Sequence, residues 1–176
     1  EFTELFRQPV SVGTGSIQTA SVSQKNVTIS GQGADSSTVI SGANGGELLD
    51  DSDAARDSLT VEQVTLDGNG VLNNAGDIVD LTGGTSSGTT VQDSDIVNAS
   101  SNGFDTGQSE DLTVDTVTFD DSDPTSDYTA IDIGTAGSSG SDIGITQVTA
   151  NNLSAGTGVN IGSSANADVT VSINNT

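Results

Sequence analysis

One spacing of apolar residues recurs along the chain and constrains its fold more than any other feature. The clearest copy places apolar residues at a start position and two, five and seven positions later, at Leu59, Val61, Val64 and Leu66. Further full or partial copies begin at Val27, Thr89, Leu112, Ile143 and Val169. Successive copies begin 23 to 32 residues apart. A repeat of this period predicts stacked units, because each unit buries its apolar face against its neighbours.

Each copy predicts two short strands joined by a corner. Apolar residues two positions apart lie on one face of a strand. The jump of three positions from Val61 to Val64 breaks this alternation and requires a bend or bulge. Glycines near the next apolar cluster, such as Gly103, indicate tight corners with positive φ. A third short strand is predicted after each copy, at Val39–Ile40, Ile78–Leu81, Phe104, Ala130–Ile133 and Val159–Ile161.

The stretch NVTISGQGADSSTVISG at 26–42, followed by LTVEQVTLDGNG at 59–70, resembles the opening coils of right-handed β-helix proteins. That superfamily includes pectate lyases, polygalacturonases and phage tailspikes. The resemblance implies an all-β fold, a right-handed parallel β-helix (solenoid) of about six coils with an N-terminal cap. We therefore expect the cap over residues 1–21 and the parallel β-helix over residues 22–176. Function stays open, because this fold hosts many activities.

The two ends of the predicted solenoid differ. Phe2, Leu5 and Phe6 have the spacing of one helical turn, so residues 1–12 are interpreted as a cap over the first coil. A frayed terminus is the alternative. The segment 167–176 reads as strand without a following cap, which indicates either a truncated chain or a partner that covers this end. We expect a homo-oligomer or an assembly neighbour on the C-terminal coil.

The charge balance excludes several partners. The chain carries 25 acidic and 3 basic residues, for a formal net charge of -22. Such a surface repels phosphates and anionic lipid heads, so we expect neither nucleic acid binding nor membrane insertion. Self-repulsion destabilises a compact state unless salt screens it, and the screening length falls to about 3 Å at about 1 M salt. The composition resembles that of halophilic archaea and their viruses; an ordinary acidic secreted protein is the alternative. We expect an extracellular, cell-surface or virion location.

The residue types that most hydrolytic mechanisms require are missing. The chain has no His and no Cys, which removes Ser-His-Asp and Cys-His catalysis. It lacks the Gly-His-Gly and Arg-x-Lys elements of the polygalacturonases it resembles, and its cations Arg7, Lys25 and Arg56 all lie in the first third. Paired carboxylates about 5–10 Å apart suffice for glycoside hydrolysis, but many acidic pairs meet that distance by chance. No catalytic or cofactor-binding residue is assigned.

Two acidic segments share the pattern Asp-Ser-Asp-x-x-x-Asp and supply the candidate metal ligands. These are Asp51, Asp53 and Asp57 in the first segment and Asp121, Asp123 and Asp127 in the second. Carboxylates two apart in a loop can converge on a hard cation, which makes calcium the candidate cofactor. The EF-hand consensus is not met. The alternative is that both segments are acidic loops of a salt-adapted surface and bind no specific metal.

Three functions follow from these features. The first is a non-enzymatic structural or adhesion module of a halophilic cell surface, a virion (decoration, fibre or spike) or a filament. The second is a tailspike-like carbohydrate-active enzyme, and the third is a passive carbohydrate-binding domain with a surface glycan as its partner. A groove with two close carboxylates and an aromatic platform would favour the enzyme.

Overall fold

The computed structural model describes a succession of short parallel strands. The described residues are 16–17, 20–21, 27–41, 47–50, 58–68, 76–81, 85–86, 88–99, 101–109, 111–120, 128–136, 142–152, 156–162 and 168–172. They contain strands and one 3-10 turn, Ala34–Ser36, which confirms the predicted all-β class.

Two parallel sheets face each other across the core. The first contains ten strands: β1 (Ser16–Ile17), β3 (Val27–Ser30), β4 (Thr38–Ser41), β6 (Leu59–Glu62), β7 (Thr65–Asp67), β10 (Thr89–Val97), β12 (Leu112–Asp120), β14 (Asp142–Thr146), β15 (Thr149–Asn151) and β17 (Asp168–Ser172). The second contains seven: β2 (Ala20–Ser21), β5 (Leu49–Asp50), β8 (Val79–Asp80), β9 (Thr85–Ser86), β11 (Asn102–Ser109), β13 (Thr129–Ala136) and β16 (Thr157–Ile161). The chain alternates between the sheets and so winds a parallel β-solenoid.

The repeat template sets the register of the first sheet. Register partners are the predicted start positions, in the order Val27, Leu59, Thr89, Leu112, Ile143 and Val169. Leu59, Val61, Leu112 and Val114 are all buried in the core. A shift of one residue would turn these side chains to solvent, so the apolar period fixes the register.

About three turns of the solenoid are closed, fewer than the six predicted. In the turns that begin at Leu59, Thr89 and Leu112, the inward-facing residues of both sheets are buried. Strands continue the ladders on either side, but inward positions there, such as Val27 and Val159, are only partly covered. The discrepancy arises because the apolar pattern counts strand starts and does not show whether a turn closes around a buried core.

The predicted corner is a single residue in the left-handed region in the four copies that begin at Leu59, Thr89, Leu112 and Ile143. In these copies the residue lies four positions after the start, and its φ is 56° at Gln63, 48° at Asp93, 55° at Thr116 and 51° at Gln147. One left-handed residue reverses the in-out alternation, so apolar side chains three positions apart both point inward. The bend required by the jump from Val61 to Val64 is thereby confirmed.

The first turn departs from the prediction because residues 31–37 replace its corner. β4, which contains Val39–Ile40, pairs with β7 and is the second strand of its turn, whereas the sequence predicted a third strand there. The third strand is β5. The insertion enters its 3-10 turn through Gly33, at φ 126°. It is attached to the next turn by Thr65, whose N–H donates to the Ser37 carbonyl at 2.8 Å.

Gly103 serves close packing, and the positive φ predicted for it is not found. Among the described glycines, Gly33 is the one with a positive φ. A Cβ on Gly103 would lie 2.6 Å from Phe119 Cδ1, 2.6 Å from the Tyr128 hydroxyl and 2.8 Å from the Ala130 carbonyl oxygen. Both aromatic rings are buried, so the missing side chain of Gly103 leaves room for them in the core.

The predicted cap lies largely outside the described residues. Phe2, Leu5 and Phe6 belong to that part of the chain, and the cap over residues 1–12 stays a prediction. Within the range 1–21, β1 pairs with β4 and β2 pairs with β5, so both ladders begin before residue 22. In the described part of the chain, no helix has the length and apolar character that crossing a membrane requires.

Candidate functional site

The six candidate calcium ligands cannot be located. Asp51, Asp53, Asp57, Asp121, Asp123 and Asp127 all lie outside the described residues, and the calcium site stays a prediction. Within the ranges that are described, no three His, Cys, Asp or Glu side chains converge into a group that could hold a metal ion. The basic residues Arg7, Lys25 and Arg56 also lie outside the described residues.

Neutral donors satisfy several surface carboxylates in place of cations. In each case an acid on one turn accepts a hydrogen bond from an amide or hydroxyl about 30 residues later, on the next turn. Nδ2 of Asn98 donates to Asp67 at 2.8 Å, and Nε2 of Gln92 donates to Glu62 at 3.0 Å. Further pairs of donor and acid are Asn152 with Asp120, Asn160 with Asp132, and Thr146 with Asp115. This arrangement accommodates a dense acidic surface with few Lys and Arg residues.

One outward column of the first sheet alternates between acids and neutral donors. Its register partners are, in order, Glu62, Gln92, Asp115 and Thr146. Like charges directly opposite one another destabilise a sheet, and an intervening donor avoids that contact. The alternation therefore lowers the electrostatic cost of each acid.

A column of the second sheet departs from this alternation. Asp50, Asp80, Asp105 and Asp132 are register partners on the adjacent strands β5, β8, β11 and β13, and they are termed the aspartate column. Neighbouring strands lie about 4.8 Å apart, so like charges stand side by side along all four strands. Asn160 on β16 ends the column, and its Nδ2 donates to Asp132 at 3.0 Å. Such a violation of the surrounding pattern marks the column as the candidate functional element.

Asp105, at the centre of the aspartate column, has a perturbed acidity. Its pKa is raised from 3.8 to about 6, first by burial of the carboxyl group and then by the negative charges of Asp77, Asp132 and Asp80. A hydrogen bond from Nδ2 of Asn102, at 3.3 Å, stabilises the ionised form and opposes this rise. The column therefore takes up a proton in mildly acidic solution, where an ordinary aspartate is fully ionised.

Sequence reasoning missed the aspartate column although a signal was present. The third strand of successive turns carries a polar residue just after its apolar pair, in LLD at 48–50, IVD at 78–80, GFD at 103–105, AID at 130–132 and GVN at 158–160. Aligning these tripeptides places the aspartates opposite one another. The template of the first sheet does not cover these segments.

A shallow groove of about 550 Å³ lies on the first sheet beside the insertion of the first turn. Its lining includes four aspartates, Asp35, Asp93, Asp95 and Asp120. The remaining lining residues are Ala34, Ser94, Val97, Thr116 and Thr118, so the groove has no aromatic platform. Asp105, with its raised pKa, lies on the second sheet, and the groove and this acid are therefore on different sheets.

Comparison with known proteins adds no relative to this description. No protein-family model, no curated protein and no solved structure matches the chain. The resemblance to pectate lyases and tailspikes and the halophilic character stay interpretations of the sequence. The structure itself establishes that the chain is an all-β protein built as a parallel β-solenoid.

Proposed function

We propose that this chain is a non-enzymatic structural or adhesive module, a stiff acidic rod on a cell surface, virion or filament in a high-salt medium. The aspartate column is the observation that carries the proposal. Asp50, Asp80, Asp105 and Asp132 stand in register on adjacent strands, an arrangement that is unfavourable at low ionic strength. A chain that retains it suits a medium in which the repulsion is screened.

The spacing between adjacent carboxylates of the column, compared with the screening length, sets the salt concentration that is needed to weaken their repulsion. Strands lie about 4.8 Å apart, while the screening length is about 8 Å at about 0.15 M salt and about 3 Å at about 1 M. Adjacent carboxylates of the column therefore repel one another in dilute buffer and are largely screened in brine. The exposed acids elsewhere follow the same rule more weakly, because neutral donors such as Asn98 and Gln92 already stabilise some of them.

Stiffness supports the structural role. All strand pairs are parallel and in register, and the aliphatic residues of successive turns stack in a continuous core. Among the described strands, pairing connects each inner turn to the turn before it and the turn after it, so bending the rod would break ladder hydrogen bonds and core contacts together. Rods of this kind suit spikes, fibres and surface layers.

The test compares thermal unfolding of two triple variants between about 0.15 M and 3 M NaCl. The first replaces Asp80, Asp105 and Asp132 by Asn, which leaves Asp50 as the one acid of the aspartate column and removes every contact between adjacent aspartates in it. Its matched control replaces Asp67, Asp115 and Asp120 by Asn, which changes the net charge equally but removes acids whose register partners on the adjacent strands are uncharged.

We expect the wild-type melting temperature to rise with salt and the column variant to show the smaller rise. The control variant should keep most of the wild-type salt dependence. Equal salt dependence in the two variants, or a wild type that is indifferent to salt, would remove the main support for the proposal.

The groove beside Ala34 favours a carbohydrate-binding function as the second candidate. Its aspartate and threonine side chains offer hydrogen bonds to sugar hydroxyls, but its lining lacks aromatic rings on which a sugar would stack. A glycan array in high salt, with the Asp93→Asn/Asp95→Asn variant as control, tests for binding. Oligosaccharide release that is lost in Asp105→Asn would replace both proposals with an enzyme.

A further inference from the structure

We propose that Asn102 is a site of spontaneous deamidation, which the fold protects in high salt and exposes in low salt. The reaction is intramolecular, because the peptide nitrogen of Gly103 attacks the side-chain carbonyl carbon of the asparagine before it. The inference rests on the proposed function, since the aspartate column supplies the dependence on salt. It adds a chemical consequence to the structural role: a chain that leaves the salt medium is altered irreversibly.

Packing in the core fixes the second residue of the reactive Asn102–Gly103 pair. Glycine after asparagine favours the reaction, because no Cβ shields the attacking nitrogen and the backbone rotates freely. Gly103 is buried, and a Cβ there would lie 2.6 Å from Phe119 Cδ1 and 2.8 Å from the Ala130 carbonyl oxygen. A larger residue that would slow the reaction does not fit, so the protection of Asn102 has to come from its own contacts.

The atoms of the reaction balance with water as the co-reactant. A bond forms between the Gly103 nitrogen and Cγ of Asn102, and the bond from Cγ to Nδ2 breaks. Nδ2 leaves as ammonia and takes the proton of the Gly103 nitrogen with it, which leaves a succinimide ring in the main chain. Water then opens the ring at either carbonyl group and gives aspartate or isoaspartate. No oxidation or reduction takes place.

The folded strand holds Asn102 in a conformation that cannot react. Ring closure requires the Gly103 nitrogen to rotate to the side of the asparagine side chain, and the extended backbone of a strand keeps the two apart. The Asn102 N–H donates to Oδ1 of Asp77 at 2.8 Å, and its carbonyl accepts from the Ile78 N–H at 3.0 Å. Nδ2 of Asn102 donates to Asp105 at 3.3 Å. Deamidation therefore requires local opening of β11, in which these hydrogen bonds break.

The acids around Asn102 make this opening depend on salt. Asp77 accepts the hydrogen bond from its backbone, and Asp105 follows three residues later on the same strand. Asp105 is in register with Asp80 and Asp132 on the two adjacent strands. Burial and then the charges of these three other aspartates raise the pKa of Asp105 to about 6, so the carboxylates are close enough to repel one another. The repulsion favours separation of β11 from its neighbours in dilute buffer and is screened in brine.

Either product prevents the strand from regaining its native contacts. Aspartate at position 102 lacks the Nδ2 donor that stabilises ionised Asp105, and it adds a negative charge beside Asp77. Isoaspartate adds a methylene group to the main chain shortly before Phe104, which is buried and pairs in register with Val79. That extra length displaces the register of the following residues. A chain that opens in low salt is therefore trapped in a less stable form.

The first test measures deamidation of the folded full chain at about pH 7.5 in about 0.15 M and about 3 M NaCl, by mass spectrometry of the peptide that contains Asn102. A synthetic peptide of residues 98–106 gives the intrinsic rate at each salt concentration. We expect the ratio of the folded rate to the intrinsic rate to be at least about tenfold smaller in the higher salt. Equal ratios would overturn the inference, and so would a folded chain that reacts as fast as the peptide in the higher salt.

A matched pair of double variants locates the origin of the salt effect. Asp80→Asn/Asp132→Asn removes the two acids in register with Asp105. Asp115→Asn/Asp120→Asn removes two acids of β12 in the first sheet and changes the net charge equally. In the lower salt the first variant should deamidate at least about fivefold more slowly than the wild type, while the second should keep the wild-type rate. Equal rates in the two variants would overturn the inference.

Asn102→Asp reproduces one product and tests its consequence. In about 0.15 M NaCl it should lower the melting temperature more than Asn102→Ala, which removes the same side-chain hydrogen bond without adding charge. The difference between the two variants should shrink in about 3 M NaCl. Equal melting temperatures in the lower salt would overturn the inference. A wild-type melting temperature that rises with salt, combined with a deamidation ratio that does not change, would overturn this inference alone and leave the proposed function standing.

Discussion

Asp105 on β11 is the register partner of Asp132 on β13, and both carboxylates are partly exposed on the second sheet. Two like charges on adjacent strands raise the cost of ionising either one, and burial of Asp105 adds to that cost. This pair connects the fold to its dependence on pH and salt, because protonation and screening relieve the same repulsion.

The pKa of Asp105 makes stability depend on pH in mildly acidic solution. The pKa is about 6 in the folded chain and 3.8 for the unperturbed group, so the folded state binds the proton more tightly. The resulting stability is fully present below about pH 3.8 and is lost as the pH rises through about 6. After allowance for solvent screening of this partly exposed group, we expect Asp105 to contribute about 1 kcal/mol to the free energy of unfolding.

Denaturant unfolding at about pH 4.5 and pH 7 measures this contribution. Asp105→Asn should stabilise the chain at pH 7 and reduce the difference between the two conditions. Asp120→Asn is the control, because Asp120 lies on the first sheet and accepts a hydrogen bond from Asn152. Removing its charge does not reduce the repulsion within the aspartate column. The assignment fails if both variants change the pH dependence equally.

Gly103 and Gly144 form a second matched pair. Gly103→Ala places a methyl group 2.6 Å from Phe119 and from the Tyr128 hydroxyl, and we expect a loss of about 3 kcal/mol from overpacking. Gly144→Ala meets nothing within 4 Å and should leave stability unchanged or raise it by about 0.5 kcal/mol. Chemical unfolding of both variants measures these changes in the free energy of unfolding. A tolerated Gly103→Ala would show that the aromatic rings can move apart.

Thr116 is a β-branched residue in the left-handed region, which strains its backbone. Thr116→Gly should therefore raise the free energy of unfolding by about 0.5 to 1 kcal/mol. Thr113→Gly, three residues earlier in the same strand, should lower the free energy of unfolding by a similar amount. At a regular strand position glycine relieves no strain and only increases the conformational entropy of the unfolded chain. The prediction concerns the opposite signs of the two changes, and equal signs would contradict the corner strain.

Asn98 combines two stabilising roles. Its φ is 58°, which Asn tolerates better than most residues, and its Nδ2 donates to Asp67 on the preceding turn. Asn98→Gly keeps the backbone conformation and loses the hydrogen bond, for an expected cost of about 1 kcal/mol. Asn98→Ala loses both and should cost about 2 kcal/mol. Identical melting temperatures for the two variants would show that the backbone conformation contributes nothing.

The repeat template was sufficient to predict the strands of the first sheet in the turns that begin at Leu59, Thr89 and Leu112. The spacing of Leu59, Val61, Val64 and Leu66 recurs because the two strands of each copy, joined by one left-handed residue, must both direct their apolar side chains into the same core. That constraint is local and periodic, so it can be read without a structure. The corner at Gln63 follows from the same constraint.

The remaining features depend on interactions that a linear pattern does not contain. The insertion at 31–37 lies between β3 and β4, and the position of β4 depends on its pairing with β7 and on the hydrogen bond from Thr65. The apolar pattern therefore predicts Val39–Ile40 as the third strand of its turn, whereas it belongs to the second. The aspartate column can be recognised only after the strands of the second sheet are aligned with one another. Segments of unequal length separate those strands in the chain, so no fixed spacing connects the aspartates. The raised pKa of Asp105 depends on burial and on three neighbouring aspartates, which sequence spacing alone does not bring together.

The side-chain hydrogen bonds that carboxylates accept between turns run in one direction, with the acid on the earlier turn and the neutral donor on the later one. A duplicated turn inserted between two others would therefore arrive with a donor for its predecessor and an acid for its successor. Lengthening by internal duplication needs no new lysine or arginine. Such a rod could grow during evolution while the acids of each added turn kept their neutral donors at every intermediate length.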